Sequence, residues 1–397
     1  MLDITSWQVL YIDDDEELLE QAKEALNTKV VDPDRPDTPI ALQTESDFSK
    51  ALGLIEAHRF DLVILDVKDA TQDRQKGDDI GITILENIQQ RRFMPIIFYT
   101  SNPNLVVGLA NPLIRVVEKT ERFRRLLEVI SELFATRLPL VNRALVQHLE
   151  AIQREYMWDF VAKNWESFEG TNDKTSLAYL LARRLAVSLA GPGISQLARD
   201  LGDESGLMTV SGRVHPMQYY IMPPIEEHPL AGDIYTGQIT EQTGYWILLT
   251  PSCDMQIRQG RDGQQIPAKA ERVLLVACMP LENEREYRAW AEQPPEPPRR
   301  VLNALENLLK NNRTDAQAER FFVLPGAISL PTLVVDFQQL YTVTWGTLQE
   351  LRRVASMDSP FAEALVARFN RYFGRLGTPD LDVDLLMTKL RSDLPRR

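Results

Sequence analysis

Three consecutive aspartates, Asp13, Asp14 and Asp15, stand directly after a strand-forming run, Val9 to Ile12, and Glu16 and Glu17 follow them. Adjacent carboxylates repel and raise one another's pKa unless something positive sits among them. A cluster of this kind suits Mg2+, a hard ion usually held by one or two carboxylates together with waters and phosphate oxygens. Further along, Asp66 follows the apolar run FDLVIL, Thr100 closes MPIIFYT and Lys119 closes IRVVEK. A carboxylate, a hydroxyl and an ammonium around a divalent cation form a set for phosphoryl transfer. Asp66 would supply the nucleophilic oxygen, Asp13, Asp14 and Asp66 the metal ligands, and Lys119 and Thr100 the partners of the transferred oxygens. Acids at a helix start also satisfy free N–H groups and the positive end of the helix dipole. Capping is therefore assigned to Asp15, Glu16 and Glu17, and metal binding to Asp13 and Asp14.

The elements that must gather these residues are readable from periodicity. Apolar runs at Val9–Ile12, IALQT, FDLVILDV, MPIIFYTS and IRVVEKT alternate with the helical patterns LLEQAKEAL, FSKALGLIEAH, GITILENIQQRR and FRRLLEVISELF. Only NPNLVVGLANP, interrupted by Pro103 and Pro112, is a poor helix candidate. Continuous apolar strands alternating with helices predict an α/β domain, a doubly wound five-stranded parallel sheet covered on both faces. Ligands of such sheets lie beyond the carboxyl ends of the strands, where the strand order reverses. Asp13, Asp14, Asp66, Thr100 and Lys119 all fall at those ends.

On YIDD at 11–14, LVILD at 62–66, PIIFYT at 95–100 and EK at 118–119, residues 1 to about 136 resemble the flavodoxin-like receiver domain of response regulators, the phosphoacceptor module of two-component signalling. The resemblance implies that Asp66 is phosphorylated by a histidine kinase or kinase-like ATPase. It also implies that Asp13, Asp14 and Asp66 bind Mg2+ and that Thr100 and Lys119 sense the phosphoryl group. The chain departs from the family at several points. Gly81 lies fifteen residues after Asp66, farther than usual, and VKDATQDRQKGDDI reads as an inserted loop. Thr120 stands where a proline is common, and Val116 where the switch aromatic is usual. The interrupted fourth helix remodels a face that receivers often use to dimerise, so a homodimer is admitted and the output is expected to take another route.

At 397 residues the chain is long enough for two or three domains, and 44% hydrophobic with 25% charged residues describes an ordinary globular protein. A formal net charge of −13 disfavours broad attachment to nucleic acid or anionic lipid, while leaving room for a local basic patch. Two cysteines fit a reducing compartment, and neither a membrane-spanning run nor a secretion signal is read, which places the protein in the cytoplasm.

The remainder reads as a helical connector at 137–205 and a β-rich α+β effector domain at 206–397, a small barrel or strongly bent sheet with helices against it. LVNRALVQHLEAIQREYMWDFVAKNWESF predicts one long helix, and TLQELRRVAS another. Residues 194–213 resemble a helix-turn-helix, although Asp203 and Glu204 suit a phosphate backbone poorly. GDIYTGQ followed by YWILLTPS resembles the opening of small barrel toxins that cut mRNA, without the Arg-Pro pair of that family. Cys253 and Asp254 follow an apolar strand and are candidates for a pocket. His215, His228, Cys253 and Cys278 are candidates for zinc, although their spacing fits buried structural cysteines better. The leading expectation is a phosphorylated signalling protein whose effector acts by protein contact. The alternatives are a receiver-gated enzyme acting on nucleic acid and a DNA-binding regulator using residues 194–213.

Overall fold

The computed structural model describes residues 4–67, 80–166, 174–189, 214–259, 264–313, 318–375 and 381–393. Contacts divide the chain into two units, Met1–Gly212 and Arg213–Arg397.

In the first unit, strands too continuously apolar to carry a wet face are sandwiched between helices, as the sequence predicts. The elements run β1 (Trp7–Ile12), α1 (Glu16–Leu26), β2 (Ile40–Glu45), α2 (Phe48–Ala57), β3 (Leu62–Leu65), α3 (Ile80–Arg91), β4 (Ile96–Thr100), β5 (Ile114–Glu118) and α4 (Arg122–Ala135). All five strands are parallel, in the order β2-β1-β3-β4-β5. Alternate residues face opposite cores. Trp7, Val9, Tyr11, Ile64 and Tyr99 pack with Leu19 and Leu26 of α1 and Leu126 and Ile130 of α4. Leu10, Ile12, Val63, Leu65 and Phe98 pack with Phe48 and Ile55 of α2 and Ile84 and Ile88 of α3. The chain passes from β1 to β2 on one side and to β3 on the other, so the strand order reverses at the β1/β3 boundary.

Between β4 and β5 there are two short 3-10 turns, Pro103–Leu105 and Val107–Leu109, in place of an α-helix. Pro103 and Pro112 lack N–H donors, and Asn111 Oδ1 takes the N–H groups of Leu113 and Ile114 at 2.8 and 3.1 Å, closing the turn locally.

After α4, Arg137 adopts a left-handed φ of 62° and Pro139 sits in the first turn of α5 (Leu138–Glu155). This helix lies against the first unit's own sheet. Leu140 and Ala144 are buried, Leu140 within the first core, and Arg143 Nη1 donates to Ser6 O at 2.8 Å and to the buried Asp61 Oδ2 at 3.0 Å. The long helix expected here continues past α5 through a π-helical turn at Tyr156–Val161 and a 3-10 turn at Ala162–Asn164, and α6 spans Lys174–Ser188 as a separate helix. The helix-turn-helix candidate, 194–213, lies outside the described residues.

The second unit is built on β6 (Tyr220–Ile221), β7 (Asp233–Ile239), β8 (Gln242–Leu248), a small hairpin of β9 (Arg258–Gln259) and β10 (Gln265–Ile266), then β11 (Arg272–Pro280), β12 (Phe321–Leu324), β13 (Leu333–Thr344) and β14 (Arg352–Met357). Seven of these form an antiparallel sheet ordered β12-β13-β11-β8-β7-β14-β6. The helix Phe361–Phe373 packs Leu365 and Tyr372 on one face with Phe337 and Val335, while Trp246, Met255 and Leu348 fill the other. The helix expected over TLQELRRVAS is corrected: it ends at Glu350, and Arg352–Met357 is a strand inserted between β7 and β6. Helix propensity loses there to tertiary pairing, since Ser356 Oγ and Arg353 Nη1 reach the fully buried Asp233 at 2.6 and 3.1 Å.

The burial of Asp61 makes the first unit sensitive to pH. Burial raises the Asp61 pKa from 3.8 to about 6, against the opposing pull of Arg143 and the Gln8 N–H. A folded pKa above the unfolded one means that the native state holds the proton more tightly. Stability from this group is complete below about pH 4 and is lost as pH rises through about 6. Amides of β1 and β3, corrected for intrinsic exchange, should lose hydrogen-exchange protection across that window, and Asp61→Asn should flatten the loss.

Candidate functional site

Parallel pairing of Ile12 with Leu65 delivers the next residues, Asp13 and Asp66, from the sheet side by side, and Asp66 N donates to Ile12 O at 3.0 Å. β4 ends at the fully buried Thr100, and Lys119 follows directly on β5. The Lys119 Nζ lies 2.7 Å from Asp66 Oδ2 and 2.8 Å from Asp13 Oδ2. Asp13 is fully buried and Asp66 nearly so. Charges so withdrawn from water persist only when paired and hydrogen-bonded. Asp13 also accepts the Asp15 N–H at 3.1 Å and the Tyr11 hydroxyl at 2.7 Å, and Asp66 Oδ1 accepts the Val67 N–H at 2.6 Å.

Burial, reinforced by the Asp66 charge, raises the Asp13 pKa despite the opposing Lys119 and Tyr11. Burial pulls the Lys119 pKa down, but Asp66 and Asp13 together outweigh it and the net shift is upward. Lys119 is therefore a firm ammonium holding two carboxylates.

Asp14, half-buried, completes a group: one oxygen from each of Asp13, Asp14 and Asp66 lies within 4.8 Å of the others. Three hard oxygen donors, with Lys119 offsetting only part of their charge, fit a divalent cation such as Mg2+. The helix-start reading also holds for its part of the run: Asp15 Oδ1 accepts the Leu18 N–H at 3.0 Å, and Glu16 and Glu17 lie in the first turn. Thr100 Oγ1 accepts the Asn102 N–H at 3.2 Å, at the start of the β4–β5 connection.

The distant glycine is explained by close packing. Gly81 N donates to Val67 O at 3.1 Å, and a Cβ on Gly81 would lie 2.4 Å from Asp66 O and 2.8 Å from Val67 Cα. Whatever the length of the preceding segment, of which 68–79 lie outside the described residues, α3 returns a glycine to the backbone of the phosphoacceptor candidate. Val116, at the position of the usual aromatic, packs with the α2/α3 core.

Two tyrosines escaped sequence reasoning. Tyr11 binds Asp13, and Tyr99 OH donates to Lys119 O at 3.3 Å, with the two rings edge to face at 6.2 Å. The signal was present in the two-residue period of β1, which puts Tyr11 on the same face as Asp13.

The proposed zinc set does not assemble. Among the described residues, Asp13, Asp14 and Asp66 are the one group of three or more metal-capable side chains. His215 Nδ1 instead accepts the Met217 N–H at 3.2 Å, Cys278 is buried in β11, and Cys253 is exposed beside Asp254 on a single helical turn, Ser252–Met255. No helix among the described residues is long and apolar enough to cross a membrane.

Gly81→Ala should destabilise the first unit by about 1–3 kcal/mol, because the added methyl meets fixed backbone. Gly53→Ala, in α2 with open space around its Cβ, should be neutral or stabilising. Urea unfolding of both variants provides the comparison.

No family model matches the sequence, and no curated protein matches it. Solved structures do. The chain is similar to a Francisella response regulator receiver domain (18% identity, 33% of this chain and 98% of that one, TM-score 0.25). It is also similar to the Thermotoga maritima response regulator TrrA, described in complex with Mg2+ and BeF (21% identity, 32% and 98%, TM-score 0.25). Full-length FixJ from B. japonicum is a third (17% identity, 50% and 98%, TM-score 0.27). With its parallel order β2-β1-β3-β4-β5 and with Asp13 and Asp66 at the point where that order reverses, the N-terminal third of the chain has the flavodoxin-like fold of a receiver domain.

Proposed function

We propose that this is a response-regulator-like signalling protein in which Asp66 accepts a phosphoryl group from a histidine kinase or kinase-like ATPase. On this reading 1–136 is the receiver, 137–205 a helical connector and 206–397 an effector that acts by protein contact in the cytoplasm, with homodimers admitted. The observation that carries it is the Lys119 ammonium held between Asp66 and Asp13 at the carboxyl ends of the strands.

A carboxylate oxygen of Asp66 attacks phosphorus, and the bond from phosphorus to the donor atom breaks. The electron pair leaves with the donor, an imidazole nitrogen of phosphohistidine or a carboxylate oxygen of acetyl phosphate. The product is an acyl phosphate on Asp66. Lys119, already within hydrogen-bond distance of the nucleophile, pairs with an oxygen of the transferred group, and Thr100 supplies a hydroxyl to another. Mg2+ held by Asp13, Asp14 and Asp66 supplies Lewis-acid neutralisation of the charge on the phosphoryl group. The added dianion is the signal.

Incubation of the full chain with acetyl phosphate and Mg2+ should add the mass of one labile phosphoryl group, lost in Asp66→Ala and absent when Mg2+ is chelated. No adduct, or one that survives Asp66→Ala, would overturn the assignment.

A further inference from the structure

We propose that Tyr11 is a positioning residue for the Mg2+ site, its hydroxyl fixing the Asp13 carboxylate and so setting metal affinity; this rests on the reading of Asp13, Asp14 and Asp66 as the ligands. Tyr11 lies two residues before Asp13 on β1, so both side chains leave the same face of the sheet. The ring is fully buried among Val9, Ile64, Tyr99 and the residues of α1 and α4, where a phenol needs an acceptor within the protein. It donates to Asp13 Oδ2 at 2.7 Å, a normal length for an O–H···O hydrogen bond. The same oxygen meets Lys119 Nζ at 2.8 Å, and Oδ1 accepts the Asp15 N–H at 3.1 Å. Donors from three directions thus hold this carboxylate.

The three donors differ in what they do when charge arrives. Lys119 is shared with Asp66 and is drawn toward any group added there, whereas the Asp15 N–H belongs to the backbone that starts α1. Tyr11 is the donor whose only role visible in the structure, beyond filling the core, is to orient Asp13. A carboxylate that keeps its orientation loses no rotational freedom on binding a cation. Partners of this outer kind commonly change metal affinity 10–100-fold when removed.

Calorimetric titration of the full chain with MgCl2 tests the role. Tyr11→Phe keeps the ring and the core, and its Mg2+ dissociation constant should rise about 10-fold. Tyr220→Phe, in the second unit, loses the hydroxyl of a buried ring bonded to the Pro325 carbonyl at 2.7 Å, and should hold the native value. A purely structural hydroxyl would lower thermal stability in metal-free buffer and leave the dissociation constant of Tyr11→Phe unchanged. That result, or tighter binding by Tyr11→Phe, overturns the role of Tyr11 alone. A native protein that takes up no Mg2+ overturns the metal reading and this one with it.

Discussion

The Lys119 ammonium between Asp13 and Asp66 is the interaction on which the first unit's architecture depends. Parallel strands at a reversal of order inevitably bring two strand ends together, and here both ends carry carboxylates almost wholly removed from water. Two such anions at one point oppose the pairing of β1 with β3. An ammonium within hydrogen-bond distance of both turns that repulsion into mutual attraction, the other oxygen of each carboxylate takes the N–H of Asp15 or Val67, and Tyr11 adds a second donor to the Asp13 oxygen that meets Lys119. The arrangement requires β5 to end level with β1 and β3 although it lies two strands away from β3 in the sheet, which the β4 register provides. Net negative charge is left over at a buried point, and that residue of charge is what makes the site receptive to a cation.

What was legible in the sequence followed from charge and periodicity. Strands buried on both faces are continuous apolar runs, so their ends, and hence Asp13, Asp66, Thr100 and Lys119, were visible directly. The split of DDDEE into pocket and helix start was also legible, because Asp15 stands where an N-cap must. The parts that were not legible turn on contacts between distant segments. Gly81 matters through the backbone of Asp66, and no count of intervening residues shows that. Arg352–Met357 has residues that a helix accepts, and only the buried Asp233 across the sheet makes it a strand. The long connector helix was read from apolar spacing that continues past Glu155, but the π-helical turn changes which residues share a face.

In the second unit the buried charges hold the fold. Asp233 is tied to Arg353, Ser356 and the Leu230 N–H. Arg320 makes two 2.6 Å bonds to Asp336 from β13, and Arg313 reaches both oxygens of Glu286 at 2.8 and 2.9 Å. The two guanidinium groups lie 4.4 and 4.8 Å from the Phe321 ring centroid, so the edge strand β12 is fastened by cations as well as by its ladder. Ion pairs of this kind position strands and helices; removing one partner would strand a buried charge.

The two ends of β1 and β3 set a limit on how a charge change at Asp66 is conveyed. At one end these strands carry Asp13 and Asp66; at the other, Asp61 takes the Gln8 N–H and is held by Arg143 of α5, which also reaches Ser6 O. Between them every residue of β1 is registered with β2, and a slip of one residue would turn each core side chain to the wrong face. Sliding of the strands is therefore closed as a route. The connection entered at Thr100 is built of short turns in place of a helix, and the Thr100 hydroxyl oxygen takes the Asn102 N–H at its start. Leu105, Val107 and Leu109 stand exposed on that connection, which leads into β5, the strand that Lys119 follows. Thr100 opens this segment and Lys119 follows the strand into which it leads, so two residues of the site and this exposed apolar surface share one stretch of chain.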